Sequence, residues 1–138
     1  MARLLGIDPG VKRCGIAVSD SSQSMAFPRE AIVNDPSLMK RIGLLLNEEE
    51  IAGVVVGRPI ALSGRETSST AFADDFYATL TAEFPDLKWV QWDERMTTQE
   101  ASKALSGAGM KAKDQKSHID SAAAVVMLQN YLDGHHDR

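Results

Sequence analysis

A single cysteine, Cys14, stands among 138 residues. That excludes an intramolecular disulfide and any metal centre built on clustered thiolates. Long apolar runs are missing too: the longest, residues 121–128, is far short of the ~20 residues needed to cross a bilayer. The first residues reach an acid at Asp8 without the charged, apolar and small-residue zones of a secretory leader, so the expected compartment is the cytoplasm and no membrane partner is expected. Nor is there an excess of positive charge. Lys and Arg number 15 against 19 Asp and Glu, a net charge of -4 with a pI near 5.3, which argues against a surface coated in nucleic-acid contacts. A local basic groove remains compatible with that balance, because phosphate binding depends on charge within about a Debye length, ~8–10 Å. No internal repeat, low-complexity linker or P-loop pattern is present, so residues 1–138 are expected to form one domain.

What is present is the composition of an ordinary globular chain, 43% hydrophobic and 25% charged. A chain of this length buries roughly two-thirds of its unfolded surface, enough for a core without staples. Loose alternation over residues 3–8, stopped by Pro9-Gly10, predicts a strand. Residues 14–19 predict a second strand close enough to form a hairpin with it, and residues 25–33 a third, made an edge strand by Pro28. Asp35-Pro36 reads as an N-cap with proline at the first helical position, ahead of a stripe of Leu38, Ile42, Leu45 and Leu46. A β-branched run at 51–56 predicts a buried strand. Phe72, Phe76, Leu80 and Phe84 recur at helical spacing within 67–84, residues 87–92 predict a strand, and 97–105 and 117–132 predict the last two helices. The order β-β-β-α-β-α-β-α-α implies a mixed five-stranded sheet flanked by helices, in which ligands gather beyond the carboxyl ends of parallel strands.

Three acidic positions fall at such ends or beside them. Asp8 closes the first strand, Asp93-Glu94 follow Trp89-Val90-Gln91-Trp92, and Asp120 shares a helical face with Ala123, Ala124, Met127 and Tyr131. Carboxylates brought together from separate elements repel unless they are protonated or hold a cation; a hard divalent ion such as Mg²⁺ is the natural occupant. Each position also has a plainer reading. Asp8-Pro9-Gly10 suits a turn, Asp93-Glu94-Arg95 suits the acidic start of a helix, and Ser117 with Asp120 fits a capping box. Strand alternation would put Asp93 and Glu94 on opposite faces, so only one of them points inward. The basic residues are uneven, with Lys103, Lys111, Lys113 and Lys116 in a stretch broken by the single acid Asp114. Trp89 and Trp92 are expected in packing rather than on bases, Cys14 as a small buried strand residue, and His135-His136 in a frayed polar tail.

Four segments, in order, together carry a resemblance that covers nearly the whole chain. They are Gly6-Ile7-Asp8-Pro9-Gly10 with Gly15-Ile16-Ala17-Val18-Ser19-Asp20; Val56-Gly57-Arg58-Pro59 with Gly64 and Thr67; Asp93-Glu94-Arg95-Met96-Thr97-Thr98; and His118-Ile119-Asp120-Ser121-Ala122-Ala123 with Leu128-Gln129-Asn130-Tyr131-Leu132. In these the sequence resembles the YqgF/RuvX family, described as Holliday-junction resolvases or as nucleases maturing the precursor of small-subunit ribosomal RNA. The resemblance implies an RNase H-like fold and an acidic catalytic site at Asp8, Asp93 or Glu94, and Asp120. The loop after Gly57 departs from the family pattern: Arg58 stands where Leu is usual, and Ala61-Leu62-Ser63 where an Asn-Met-Asp run is usual.

The chemistry implied is hydrolysis of phosphodiester bonds with Mg²⁺ or Mn²⁺, two ions ~3.5–4 Å apart activating water and stabilising the leaving oxygen. Asp8 would bridge the ions, with Asp120 and either Glu94 or Asp93 completing their shells. Arg95 would contact the scissile phosphate or brace Asp93, and Lys12, Arg13, Lys111, Lys113 and Lys116 are candidates for backbone phosphates. The expected substrate is ribosomal RNA precursor, with branched DNA as the alternative. A non-catalytic nucleic-acid or ribosome-binding module is a further one. A phosphotransferase is disfavoured, although Gly6-Ile7-Asp8-Pro9-Gly10 resembles the first phosphate turn of actin-like kinases, because those need a second domain that 138 residues do not hold. The sequence carries no sign of oligomeric state.

Overall fold

The computed structural model describes residues 3–61, 63–94 and 121–135. Its elements run β1 (Arg3–Asp8), β2 (Arg13–Ser19), β3 (Ala26–Val33), α1 (Leu38–Glu48), β4 (Ile51–Arg58), α2 (Ser68–Glu83), β5 (Lys88–Asp93) and α3 (Ala122–His135). They build one sheet in the order β3-β2-β1-β4-β5. β1 pairs antiparallel with β2 and parallel with β4, β2 antiparallel with β3, and β4 parallel with β5. The mixed five-stranded sheet expected from the order of apolar runs is therefore present, with β1 at its centre.

Period-two alternation divides the apolar side chains between the two faces. Leu5, Ile7, Ile16, Val18, Val54 and Val56 pack with Leu38, Ile42 and Leu46 of α1 and Phe76 and Leu80 of α2. Ala17 and Val55 pack on the other face with Ala124, Val125, Met127, Leu128 and Leu132 of α3. The unbroken valines 54–56 are thus a strand covered on both sides, the usual condition of a parallel strand inside a sheet. Each fully buried leucine, isoleucine or phenylalanine of this kind stabilises the fold by about 1.5–3 kcal/mol. Gly6 sets the depth of α3: a Cβ there would lie 3.0 Å from the Leu128 Cβ, so a larger residue would push the helix off the central strand.

Most boundaries agree with the sequence reading within two residues. The exception with a clear cause is the start of α1. Asp35 does not cap it; Ser37 occupies the cap position, without a side-chain cap hydrogen bond. Asp35 Oδ1 accepts instead from the Ser37 N–H at 2.8 Å and the Ser37 hydroxyl at 2.6 Å, while the Leu38 N–H donates to the Asp35 carbonyl at 2.9 Å. The aspartate spends its acceptor on a turn enclosing Pro36, so the helix begins at Leu38. Thr67, by contrast, caps α2 in a reciprocal box with Thr70, and the Thr70 hydroxyl also donates to the Pro59 carbonyl, tying the β4–α2 connection to the helix. The helix expected at 97–105 and residues 117–120 of the last one lie outside the described residues. His135 closes α3 rather than lying in a frayed tail, and His136 lies outside the described residues.

α3 is fastened to the sheet by a device the sequence did not announce. Between Cys14 and Ile16 of β2 the pairing with β3 slips, so that two steps on β2 oppose three on β3. At this bulge the Ser121 hydroxyl, fully buried, accepts from the Ile16 N–H at 3.0 Å and donates to the Arg29 carbonyl at 2.6 Å. A side chain thereby occupies the place of a missing rung of the ladder.

Candidate active site

Since β1, β4 and β5 run parallel, their carboxyl ends share one edge of the sheet. Asp8 ends β1, Gly57-Arg58 end β4, and Asp93 ends β5 with Glu94 immediately beyond. Glu94 and Asp8 are joined by a hydrogen bond between their carboxyl groups. Such a bond needs a proton, because two carboxylates are both acceptors. Burial raises the Asp8 pKa, only partly offset by its bond to Glu94. Glu94 is pushed up to about 8 by burial first, then by the charge and hydrogen bond of Asp8 and the charge of Asp93. Near neutral pH the pair therefore shares a proton.

Glu94 can reach Asp8 because position 57 is glycine. A Cβ there would sit 2.7 Å from Glu94 Oε2 and 3.0 Å from Met127 Sδ, so any side chain would occupy the space through which the glutamate passes. The sequence signal was a glycine inside an otherwise β-branched strand, which often marks a close approach. The alternation argument left Asp93 and Glu94 open; regular strand structure stops at Asp93, and Glu94 is the acid that bonds Asp8. Asp93 is paired in register with Arg58.

Glu94 Oε2 is buried and has no hydrogen-bond partner among the described residues. A proton-sharing carboxyl pair with one unpartnered oxygen is a donor set that a hard divalent cation suits, since the cation replaces the proton and takes the free oxygen. Among the described residues no group of three His, Cys, Asp or Glu side chains is gathered at a metal-binding spacing. Asp120, Arg95, Lys111, Lys113 and Lys116 lie outside the described residues.

Lys12 on the β1–β2 connection and Arg13 at the start of β2 are exposed, four and five residues beyond Asp8. That turn is pinned from β3's end: Asn34 Nδ2 donates to the Gly10 carbonyl at 3.0 Å, and the Asn34 N–H donates to the Lys12 carbonyl at 2.8 Å. Both tryptophans are in packing. Trp89 stands edge-on to Tyr77 and donates Nε1 to the Phe84 carbonyl at 2.8 Å, while Trp92 stands edge-on to Tyr131 across the sheet's other face. Cys14 is fully buried, as expected.

A mixed five-stranded sheet in the order β3-β2-β1-β4-β5, flanked by helices, with paired carboxyls at the end of its central strand, is an RNase H-like fold. The fold is shared with the Thermus thermophilus RuvC solved in complex with a Holliday junction substrate, at a TM-score of 0.65 and 17% identity, covering 99% of this chain and 97% of that one. It is shared also with the fowlpox virus resolvase solved with Holliday junction DNA, at a TM-score of 0.60 and 10% identity over 96% and 98% of the two chains. Within that class the chain belongs to the RuvX family, described as Holliday junction resolvase, which it matches over residues 2–134. Relatives provisionally named pre-16S rRNA nuclease include one from Sulfurihydrogenibium sp., 39% identical and covering 96% of this chain and 91% of its own. Another is from Lactococcus lactis, 39% identical over 97% and 96%. No helix among the described residues is long and apolar enough to cross a membrane.

Proposed function

We propose that this protein is a metal-dependent endonuclease that hydrolyses phosphodiester bonds in the precursor of 16S ribosomal RNA, acting in the cytoplasm. The observation that carries the reading is the buried Asp8–Glu94 pair, its Glu94 Oε2 unpartnered among the described residues and passing over Gly57, placed where parallel strands end. The names of the relatives from Sulfurihydrogenibium and Lactococcus supply the substrate. Asp8, Glu94 and Asp120 would hold Mg²⁺ or Mn²⁺, which when bound supplies Lewis-acid stabilisation of the phosphoryl oxygens and a water of lowered pKa. To receive the cation, Asp8 and Glu94 give up their shared proton. Gly57 keeps the path of Glu94 open, and Asp93 adds negative charge beside it. Lys12 and Arg13 at the β1–β2 turn, with Arg95, Lys111, Lys113 and Lys116, meet phosphates of the strand and position it. The hydrolysis adds a water oxygen to phosphorus and breaks the opposite P–O bond, the departing oxygen taking up a proton.

Cleavage of branched DNA is the second reading, favoured by the description of the family itself. One assay separates them: precursor RNA and a four-way DNA junction are offered to the purified protein with Mg²⁺ or Mn²⁺, alongside chelator and Asp8→Asn controls. Metal-dependent cleavage of the RNA, lost in both controls, is the expected result. Cleavage of the junction alone selects the second reading, and cleavage of neither refutes both.

A further inference from the structure

Arg58 ends β4 one residue after the glycine that admits Glu94, and it faces Asp93 in the β4–β5 register. It therefore ends at the same carboxyl edge of the sheet as the carboxyl pair, with its side chain on the α1/α2 face beside Asp74, whereas Glu94 meets Gly57 and Met127 on the α3 face. Its Nε and Nη2 donate to the two oxygens of Asp74 on α2 at 2.9 and 3.0 Å. Gln91 Nε2 donates to Asp74 Oδ1 at 2.7 Å, fixing that carboxylate from β5. One edge of the guanidinium is thus committed to a braced partner. Nη2 also lies 3.3 Å from Glu66 Oε2, an ion pair whose glutamate side chain is 67% exposed against 25% for the arginine. Nη1 has no hydrogen bond among the described residues.

The two acidic partners are therefore unequal. Asp74 makes two short parallel bonds and sets the direction of the guanidinium. Glu66 makes one long contact from a solvated side chain, an interaction of the kind that contributes little. A phosphate diester carries the same single negative charge and presents two oxygens at the spacing of the Nη1/Nη2 edge, which makes it the stronger partner for that edge. We propose that Arg58 is a backbone-phosphate contact for the nucleic-acid strand where it crosses the carboxyl edge of the sheet from the active-site face, and that Glu66 holds its place until the phosphate displaces it. The inference rests on the nuclease reading above and deepens it by adding a contact on the β4 side of the site.

The test is binding of a fluorescein-labelled precursor 16S rRNA fragment, followed by anisotropy across a salt series, with chelator present so that no strand is cut. Arg58→Leu is expected to lose about tenfold in affinity and to flatten the dependence of log K on log salt by ~0.7–0.9 units, the contribution of one phosphate. Arg58→Lys, whose single ammonium serves either Asp74 or the phosphate, falls between. Glu66→Gln is expected to tighten binding several-fold with the slope unchanged. Asp75→Asn, which removes the same charge from an exposed position on α2, is expected to have a smaller effect. Wild-type affinity and slope in Arg58→Leu would overturn the proposal, as would equal effects of Glu66→Gln and Asp75→Asn. If Arg58→Leu does not fold, the comparison of Glu66→Gln with Asp75→Asn decides alone. Failure of the wild-type protein to bind the RNA at all would instead refute the substrate reading on which this inference stands.

Discussion

Replacing Ser121 by Ala removes one oxygen from the molecule and leaves two backbone groups without their partner. The Ile16 N–H, which donates to that hydroxyl at 3.0 Å within the buried β2–β3 pairing, has no water to turn to, and stranding such a donor costs about 1–3 kcal/mol. The Arg29 carbonyl, which accepts at 2.6 Å, belongs to edge strand β3 and regains part of its hydrogen bonding from solvent, so its loss is nearer ~1 kcal/mol. Together they destabilise the fold by about 2–4 kcal/mol. For 138 residues the unfolding entropy is about 0.3 kcal/mol/K, so the melting temperature is expected to fall by about 7–13 °C. Thermal denaturation followed by far-UV circular dichroism measures this directly, and urea titration gives the same difference through the midpoint if the slope is unchanged. A fall of less than about 2 °C would show that the bulge satisfies its own groups and that Ser121 is not the rung described.

Gly57→Ala places a methyl 2.7 Å from Glu94 Oε2 and 3.0 Å from Met127 Sδ. It is expected to cost about 1–3 kcal/mol and to raise the metal concentration needed for cleavage, while adding Glu94→Asp, one methylene shorter, recovers part of the stability; an unchanged melting temperature in Gly57→Ala refutes the crowding argument. The folded-state pKa of Glu94 lies above its unfolded value, near 8 against about 4.5. Its stabilising contribution is therefore complete below pH ~4.5 and is lost as pH rises toward 8. Without metal the protein should lose about 1–3 kcal/mol over that window after solvent screening is allowed for. Glu94→Gln should flatten the profile, and parallel wild-type and mutant profiles would contradict the shared proton. Mg²⁺ or Mn²⁺ at ten times its dissociation constant is expected to add ~1.4 kcal/mol, read as a higher melting temperature that chelator reverses and Asp8→Asn abolishes; no shift in the wild-type protein at tens of millimolar metal, roughly that excess for a weak site, counts against the site.

The sequence by itself determined the five strands, the helices over 38–48, 68–83 and 122–135 and the placement of Asp8, because each depends on local periodicity and turn chemistry that short segments carry on their own. The valines at 54–56 announce a doubly covered strand, and Leu4-Leu5-Gly6-Ile7 before Asp8-Pro9-Gly10 announces a strand with an acid at its end. Cap choice at α1 was already beyond reach, since Asp35 and Ser37 both suit a helix start and only the turn around Pro36 decides between them. The choice between Asp93 and Glu94 was also left open, because alternation applies only while a strand lasts, and β5 ends at Asp93. Which acid meets Asp8 then depends on the space over Gly57, contributed by a different strand. Ser121 and the Arg58–Asp74–Gln91 brace were invisible for the same reason: their partners lie 92 and 105 residues away for the serine, and 16 and 17 residues apart for the brace. A hydroxyl or guanidinium acquires its role from what the folded chain brings within 3 Å of it, and no spacing pattern along the sequence encodes that distance.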